Sequence, residues 1–212
     1  MPLYTYRCNE NDHEFQVRQR MMDDPLTECP ICGGSVRVQN ISRRSKQGDV
    51  AFVEVLAAMG CSITEGLDWI EVRASHDSPL HGVEVDMRDI PDTAQTLAAL
   101  APFASTPTTI RGIASARVKE TDRVAAMCAE LTRLGVSVTE HADGLTINPC
   151  AAIQPAVIQT YNDHRMAMAF TLIGLRAPDV QIENPDCVSK TFPGYFETLE
   201  TLRISNESKP GR

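Results

Sequence analysis

The chain has few aromatic residues and no long hydrophobic run. Aromatic side chains make up only 5% of its 212 residues, so the core must be built from aliphatic side chains together with alanine and methionine. No stretch reaches the roughly 18 consecutive apolar residues that a membrane helix requires, and the N-terminus has no apolar signal region. We therefore expect a cytoplasmic protein with no membrane partner.

Positive charge is also scarce. The formal net charge of −8 argues against a general polyanion-binding surface, and so against nucleic acid as a partner. The charge is unevenly divided, because residues 1–46 carry seven Lys and Arg against six Asp and Glu, whereas the remainder carries 13 against 22. This change in composition predicts two differently built segments, one ordinary domain and a small appendage.

The seven cysteines follow the same division. Three of them crowd the opening segment, and four are scattered singly: Cys61, Cys128, Cys150 and Cys187. An odd number with scattered members is not typical of a secreted disulfide framework. We interpret the four later cysteines as small core residues.

Beyond the opening segment, the hydrophobic periodicity alternates between strands and helices. Helices are predicted at 50–60, 92–104, 118–135 and from 164 onward, with CSIT (61–64) and DWIEVR (68–73) as paired strands, and the YFETLETL segment (195–202) closes the fold. LAAMGCSI (56–63) also aligns with LTRLGVSV (131–138), 75 residues later, and APFASTPTTIRGI aligns with GLRAPDVQIEN. Either the chain stacks copies of one supersecondary unit, or these are the weak self-matches of any α/β sequence.

Four residues near the N-terminus could bind a zinc ion. Cys29-Pro-Ile-Cys32 followed by Gly-Gly is a knuckle that directs two thiolates at one point. Cys8 supplies a third ligand, and His13 could complete a Cys3His site, because the expected ligand position holds Asn11. The alternative is a degenerate ribbon that does not bind metal tightly.

Basic residues gather at two predicted helix starts in the acidic segment. Lys119 and Arg123 are four residues apart in predicted helix 118–135, so we expect them to share one face. Glu120 beside Lys119 forms a cation–carboxylate pair suited to proton transfer. Such charges are often ordinary solvated residues, and this alternative stays open for each segment alone.

The second basic group lies at the predicted start of the fourth helix. Asn162 and Asp163 would cap this helix, so that His164 and Arg165 lie beside its free amides, where anions are attracted. If these cations converge with the acids, they form a pocket for a phosphate and a carboxylate with titratable groups at the reacting centre. The further candidates for this pocket are Lys190, Asp92 and Glu120.

The opening segment resembles the FmdB-type regulatory zinc ribbons over residues 1–34. The matching blocks are MPLY (1–4), Cys8, HEF (13–15), DPL (24–26) and CPICGG (29–34). That family carries Cys-Gly where this chain has Asn11-Asp12. The resemblance implies a structural zinc held by the ribbon.

From about residue 33 to 203 the chain resembles the C-terminal part of EPSP synthase (3-phosphoshikimate 1-carboxyvinyltransferase). The matching blocks are SVRVQNISRRSKQGDVAF, IPDTAQTLAALA, TTIRGIASARVKETDRVAAM, TYNDHRMAMAF and CVSKTFPGYFETL. The resemblance implies an α/β fold of the family's inverse type, with repeated βαβαββ units, helices inside, sheets outside, and a truncated first repeat. The expected domains are a zinc ribbon at 1–34, the synthase portion at 35–203 and a flexible tail at 204–212.

The resemblance also implies an activity and the roles of individual residues. The family transfers the enolpyruvyl group of phosphoenolpyruvate to the 5-hydroxyl of shikimate 3-phosphate, releases phosphate, and uses no cofactor in catalysis. Asp92 would take the hydroxyl proton, Glu120 would serve the methylene carbon, and Lys119 would shuttle protons or bind phosphate. Lys119, Arg123, His164, Arg165 and Lys190 would bind phosphoenolpyruvate, and Asp92, Ser115 and Lys119 would bind shikimate 3-phosphate.

A large part of the family's active site has no counterpart here. Family members are roughly twice as long, with the site between two domains, and their Gly-Asn-Ala-Gly-Thr-x-x-Arg and Ser-Ser-Gln segments are absent from this sequence. We expect the chain alone to be inactive or very weak unless a separate polypeptide supplies the missing domain. Two alternatives stay open: an inactive fragment that acts as a zinc-ribbon regulatory or binding module, and a gene fusion without a selected function.

Overall fold

The structure is a computed structural model that describes residues 3–8, 14–18, 36–38, 41–45, 47–67, 69–74 and 79–201. The helices in these ranges are α1 (Phe52–Ala58), α2 (Ala94–Leu100), α3 (Arg123–Arg133), α4 (His164–Gly174) and α5 (Tyr195–Thr201). The strands are β1 (Leu3–Cys8), β2 (Glu14–Arg18), β3 (Val36–Val38), β4 (Ser62–Glu65), β5 (Ile70–Arg73), β6 (Glu84–Asp86), β7 (Thr108–Arg111), β8 (Val138–His141), β9 (Gly144–Ile147), β10 (Ala156–Ile158) and β11 (Val180–Ile182). Of the helices in the described ranges, none has both the length and the apolar character of a membrane span.

The largest sheet in the described ranges has four strands in the order β6-β7-β9-β8. β6 and β7 run parallel, whereas β9 pairs antiparallel with both β7 and β8. β10 and β11 form a parallel pair, and β1 lies between β2 and β3 in an antiparallel sheet. The predicted pairing of CSIT with DWIEVR is confirmed, because β4 and β5 pair antiparallel with Ile63 opposite Val72.

The repeat suggested by the sequence is a structural repeat. α1 and α3 each end at a glycine with positive φ, +102° at Gly60 and +81° at Gly135, and an antiparallel hairpin follows each helix. The residue after each glycine donates a hydrogen bond back to the last turn, a glycine-dependent helix ending. The equivalent bonds are Cys61 N–H to Leu56 O and Val136 N–H to Leu131 O, both 3.0 Å.

A second pair of equivalent units is built on parallel strands. β6-α2-β7 and β10-α4-β11 are both strand–helix–strand crossovers to a parallel neighbour. Each element of the second unit begins 70 to 72 residues after its counterpart, as with Ala94 and His164 or Thr108 and Val180. The weak self-matches in the sequence therefore reflect real structural copies.

Helices α2 and α4 occupy the interior. α2 and α4 pack against each other, and both are rich in small or aliphatic side chains that are fully buried, among them Leu97, Ala98 and Met166. Phe170 of α4 is the one aromatic side chain in the buried core of the described residues, as the low aromatic content predicts. Strand side chains such as Glu84 stay exposed on the outer side of the sheet, so the inverse α/β arrangement is confirmed.

The four later cysteines are all half-buried, and none of them forms a disulfide within the described ranges. Cys128 and Cys150 pack against the core, which agrees with their interpretation as core residues. Cys61 and Cys187 lie nearer the surface than that interpretation requires, because neither belongs to the group packed against the core.

The predicted start of the third helix was wrong. α3 begins at Arg123, five residues after the predicted start, because Asp122 has extended backbone angles and accepts a hydrogen bond from Ala125 N at 3.0 Å as the N-cap. Lys119 lies in the preceding turn with φ −92° and ψ −148°. Lys119 and Arg123 therefore do not share a helix face.

The predicted zinc ligands are scarcely covered by the described residues. Cys8 is the last residue of β1, while His13, Cys29 and Cys32 lie outside the described ranges. The predicted tail 204–212 also lies outside them. Within the described ranges, no group of three or more His, Cys, Asp or Glu side chains could hold a metal ion.

Candidate active site

Arg123, the first residue of α3, lies at the centre of the site and is only 2% exposed. Its guanidinium donates to three carboxylates: Nε to Asp163 Oδ2 at 2.7 Å, Nη1 to Asp92 Oδ1 at 2.9 Å and Nη2 to Glu120 Oε2 at 2.8 Å. The three acids precede α4, α2 and α3, respectively. One buried cation thus brings three distant segments together, through the geometry that a planar guanidinium favours.

The acids are positioned by the starts of the helices that follow them. Asp163 is the N-cap of α4, and its Oδ1 accepts a hydrogen bond from Arg165 N at 2.8 Å. Asp92 lies in a single 3₁₀ turn, Pro91–Thr93, that leads into α2, where the proline fixes the backbone at the first helical position. The starts of α2 and α4 therefore position Asp92 and Asp163.

Arg165 provides a second cation at Asp92. Its Nη2 lies 3.1 Å from Asp92 Oδ2, and its Nη1 donates to the Asp92 carbonyl at 3.1 Å. With its side-chain oxygen and nitrogen exchanged, the buried Gln95 would donate to the same carbonyl and accept from Arg123 Nε, both at 3.1 Å. Both oxygens of the Asp92 carboxylate are consequently held by guanidinium groups.

Lys190 and His164 approach Glu120 from the other side. Lys190 Nζ lies 3.7 Å and His164 Nδ1 3.9 Å from Glu120 Oε1. His164 Nδ1 is buried and has no hydrogen-bond partner among the described residues. Burial lowers the pKa of His164, and Lys190 and Arg165 lower it further against the opposing charges of Asp163 and Glu120, so the imidazole is mostly neutral at pH 7.

Two of the acids are held in the ionised form. The pKa of Glu120 is lowered by a hydrogen bond from its own backbone amide, then by Arg123 and Lys190. Burial by itself raises the pKa of Asp163, but the hydrogen bonds from Arg123 and Arg165 N outweigh this effect, and the net pKa is lowered. The three cations are thereby balanced by three carboxylates: Arg123, Arg165 and Lys190 against Asp92, Glu120 and Asp163.

A cavity of about 250 Å³ lies beside this cluster. Asp92, His164 and Arg165 form its polar wall, and Met168 and Leu172 of α4 form its apolar wall. A small anion in this cavity would lie against a guanidinium and beside a carboxylate that can exchange protons. The arrangement suits anion binding with acid–base chemistry.

The structure does not bring two of the predicted site residues to the cluster. Lys119 is exposed and Ser115 lies exposed in the 3₁₀ turn Ala114–Val118, and neither has a hydrogen bond or ion pair with the site residues in the described ranges. The lysine in contact with Glu120 is Lys190, not its sequence neighbour. Asp92, Glu120, Arg123, His164, Arg165 and Lys190 do lie together.

Asp163 is the site residue that sequence reasoning missed, because it was interpreted only as a helix cap. It is 0% exposed and is the strongest partner of Arg123 by distance. The signal was available: an acid directly before two basic residues, at the start of an apolar helix, must find a counterion if it is buried. Gln95, equally buried in α2, carried no such signal.

Comparison with known proteins identifies both segments. The sequence matches the family model for EPSP synthase (3-phosphoshikimate 1-carboxyvinyltransferase) over residues 26–199 and that for a zinc ribbon domain over residues 1–39. It is similar to the 3-phosphoshikimate 1-carboxyvinyltransferase of Nostoc punctiforme, 51% identical over 200 residues that cover 87% of this chain and 46% of the relative. The relative of the same name from a Marinomonas species is 48% identical over 177 residues, 84% of this chain and 41% of the relative.

The solved structures agree with these matches. The structure is similar to EPSP synthase from Acinetobacter baumannii with a TM-score of 0.64 and 26% identity, covering 73% of this chain and 39% of that one. The chain spans less than half the length of the relatives it matches, and it covers their C-terminal part. Residues 1–39 match a zinc ribbon domain model, and the chain belongs to the EPSP synthase family.

Proposed function

We propose that the chain carries one half of an active site for enolpyruvyl transfer from phosphoenolpyruvate to the 5-hydroxyl of shikimate 3-phosphate. The observation that supports this most is the attachment of Asp92 and Glu120 to opposite sides of the same buried Arg123. The reaction needs a base at the attacking hydroxyl and an acid at the methylene carbon, close together beside bound phosphate.

The roles follow from chemistry and position. Asp92 takes the proton of the 5-hydroxyl, and Glu120 delivers and removes the proton at the methylene carbon. Arg123, Arg165 and Lys190 bind phosphoenolpyruvate, with His164 beside them. Lys119 and Ser115 act from the exposed rim, where Lys119 binds either substrate and Ser115 contacts shikimate 3-phosphate. The chemistry needs no cofactor.

We propose that a further protein segment, such as a separate polypeptide, completes the site. The three cations at the cluster are already balanced by three carboxylates, so this half offers no excess positive charge to two phosphorylated substrates. Further cations facing the same cavity would supply it, as transition-state stabilisation requires. The chain alone is therefore expected to turn over very slowly or not at all.

The N-terminal ribbon is proposed to hold a structural zinc ion through Cys8, His13, Cys29 and Cys32. Three thiolates and one imidazole are a donor set that a closed tetrahedral zinc site uses. Zinc is expected at one equivalent per purified chain, measured by elemental analysis. Sub-stoichiometric zinc that is unchanged in His13→Ala would contradict this ligand set.

Phosphate release tests the proposed activity. The full chain, a polypeptide carrying the N-terminal half of the Nostoc punctiforme relative, and their mixture are each supplied with both substrates. Release is expected from the mixture and not from either component. If the mixture is as inactive as its components, the chain is not half of an enzyme, and the interpretation as a binding module gains support.

A further inference from the structure

We propose that Glu130 and Tyr161 are a positioning pair that fixes the conformation of residues 159–163 and thereby presents His164 and Arg165 to the substrate anion. The identity of that anion rests on the proposed function. The positioning itself rests only on contacts in this chain. Neither residue touches the candidate site directly, so their effect must pass through the backbone that joins β10 to α4.

Glu130 is a fully buried carboxylate in the middle of α3 that the proposed chemistry does not use. It accepts three hydrogen bonds: Tyr161 Oη to Oε1 at 2.8 Å, Gln159 N to Oε2 at 3.0 Å and Arg133 Nε to Oε2 at 3.0 Å. Two of the three donors belong to the segment that enters the site. A buried charge with this set of partners specifies one arrangement of that segment.

The segment held in this way has an unusual backbone. Tyr161 and Asn162 both have positive φ, 54° and 55°, although neither is glycine. Consecutive left-handed residues with side chains are unfavourable and persist only where surrounding contacts enforce them. The bond from the Tyr161 phenol to Glu130 is such a contact, and it lies directly before Asp163, the cap of α4.

α3 contacts residues 159–163 at two points. Arg123 and Glu130 are seven residues apart, which places them on the same face of the helix two turns apart. Arg123 binds Asp163, and Glu130 binds the backbone of Gln159 and the phenol of Tyr161. Because Arg123 and Glu130 carry opposite charges, the two contacts together specify one orientation of residues 159–163.

The phenol of Tyr161 is protonated at neutral pH and can therefore donate to Glu130. Burial raises the pKa of Tyr161 to about 12, and the hydrogen bond to Glu130 contributes to the increase. Releasing this bond would allow Tyr161 and Asn162 to return to ordinary backbone angles. The Asp163 carboxylate would then move relative to Arg123 and relative to the Arg165 backbone amide, which donates a hydrogen bond to its Oδ1 at 2.8 Å.

The experiment compares the full chain with its Tyr161→Phe variant, using the imidazole of His164 as a reporter. Nuclear magnetic resonance of labelled histidine follows the ring, whose signals are assigned by their loss in His164→Asn. The charged groups that face it are Asp163, Glu120, Arg165 and Lys190, and Tyr161→Phe alters none of them. Thr132→Val is the control, because it removes a hydrogen bond from α3 on the exposed side, to Cys128 O.

Tyr161→Phe is expected to change the chemical shifts of the His164 imidazole. It is also expected to raise the pKa of this imidazole toward its ordinary value, because the imidazole becomes less buried. Added phosphoenolpyruvate, followed by the same signals, is expected to bind about tenfold more weakly than to the wild type. Thr132→Val should change neither. Glu130→Gln keeps an acceptor for the phenol and should show a smaller change than Tyr161→Phe.

If Tyr161→Phe lowers the melting temperature but leaves the His164 signals and pKa unchanged, the pair is a structural anchor only and the proposal is wrong. If the His164 signals of the wild-type chain do not respond to phosphoenolpyruvate even in the mixture with the missing half, the proposed function of this half is wrong. The ligand-free comparison of His164 would still decide the positioning role in that case.

Discussion

Arg123 and Asp163 form a buried ion pair, with Nε donating to Oδ2 at 2.7 Å, that joins the first residue of α3 to the N-cap of α4. The two side chains are 2% and 0% exposed. Because Asp163 also caps α4 through Arg165 N, the pair sets the position of Arg165 as well. The geometry of the candidate site therefore depends on an interaction that also supports the fold.

Removing one partner of this pair should destabilise the protein far more than removing an ordinary helix cap. Asp163→Ala is expected to lower the free energy of unfolding by about 3–5 kcal/mol, because a buried guanidinium loses its main counterion. The matched control is Asp122→Ala, which removes the half-exposed cap of α3 and should cost about 0.5–2 kcal/mol. Urea denaturation measures both, and equal losses would contradict the importance of the buried pair.

The same residue predicts an acid sensitivity. The pKa of Asp163 in the folded protein lies below its ordinary value of 3.8, so the stability it contributes is complete above that value. This contribution is lost as the pH falls through the lowered pKa, because the proton binds the unfolded chain more readily. Asp163→Asn should be less stable than the wild type at pH 6, and the difference should shrink as the pH falls below 3.8.

Urea denaturation of Asp163→Asn and the wild type across this pH range measures the difference. If the difference in the free energy of unfolding between the wild type and Asp163→Asn stays constant down to the lowest accessible pH, the charge of Asp163 is not the stabilising feature. Asn can still cap a helix, so the comparison isolates the charge from the cap.

Gly60, after α1, and Gly174, the last residue of α4, should respond to substitution by alanine with opposite changes in stability. Gly60→Ala should lower the free energy of unfolding by about 1–3 kcal/mol, because φ is +102° at this position. The nearest atom would lie 3.6 Å from the new Cβ, so the strain comes from the backbone and not from a steric clash. A Cβ at Gly174 would also make only an ordinary van der Waals contact, 3.6 Å to Val180 O, but Gly174 lies in α4 without positive φ.

Gly174→Ala should therefore stabilise the protein by about 0.4–1 kcal/mol through the unfolded state. Thermal unfolding of the two variants provides the comparison. The backbone explanation is wrong if both substitutions shift the melting temperature in the same direction.

Glu120 is predicted to act in the chemical step of the reconstituted reaction. Glu120→Gln keeps the shape of the side chain but cannot exchange the methylene proton, so kcat in the mixture with the missing half should fall by about 100-fold or more. Glu140→Gln, which changes an acid paired with Arg117 on the outer sheet, should leave kcat unchanged. A fall confined to substrate affinity would instead assign Glu120 to binding.

Much of the fold could be predicted because its patterns are local. The glycine after a helical run predicted the endings of α1 and α3, and the CSIT and DWIEVR pattern predicted the β4–β5 hairpin, since each depends on residues close in sequence. The short β6 and β10 were not predicted. Each has only three residues and is defined by pairing with a distant parallel strand.

The site was predictable to a lesser degree. The cations could be predicted because they lie beside helix starts. Which lysine contacts Glu120 depends on the path of the chain, and in the structure it is Lys190, 70 residues away in the sequence. The start of α3 was misplaced because helical periodicity extends through Val118–Asp122, where the cap at Asp122 prevails. The local sequence around Asp163 indicates an acid that needs a counterion, but it does not specify that this counterion is Arg123, 40 residues away.

The rate of phosphate release by the full chain mixed with the missing half, compared between Asp92→Asn and Asp89→Asn, decides whether Asp92 takes part in the reaction. Asp92 is held by both guanidinium groups of the site, while Asp89 is an exposed neighbour three residues earlier. The account predicts that Asp92→Asn lowers the rate by about 100-fold or more and that Asp89→Asn retains the wild-type rate. Equal rates for the wild type and Asp92→Asn, or no release from the wild-type mixture, would contradict it.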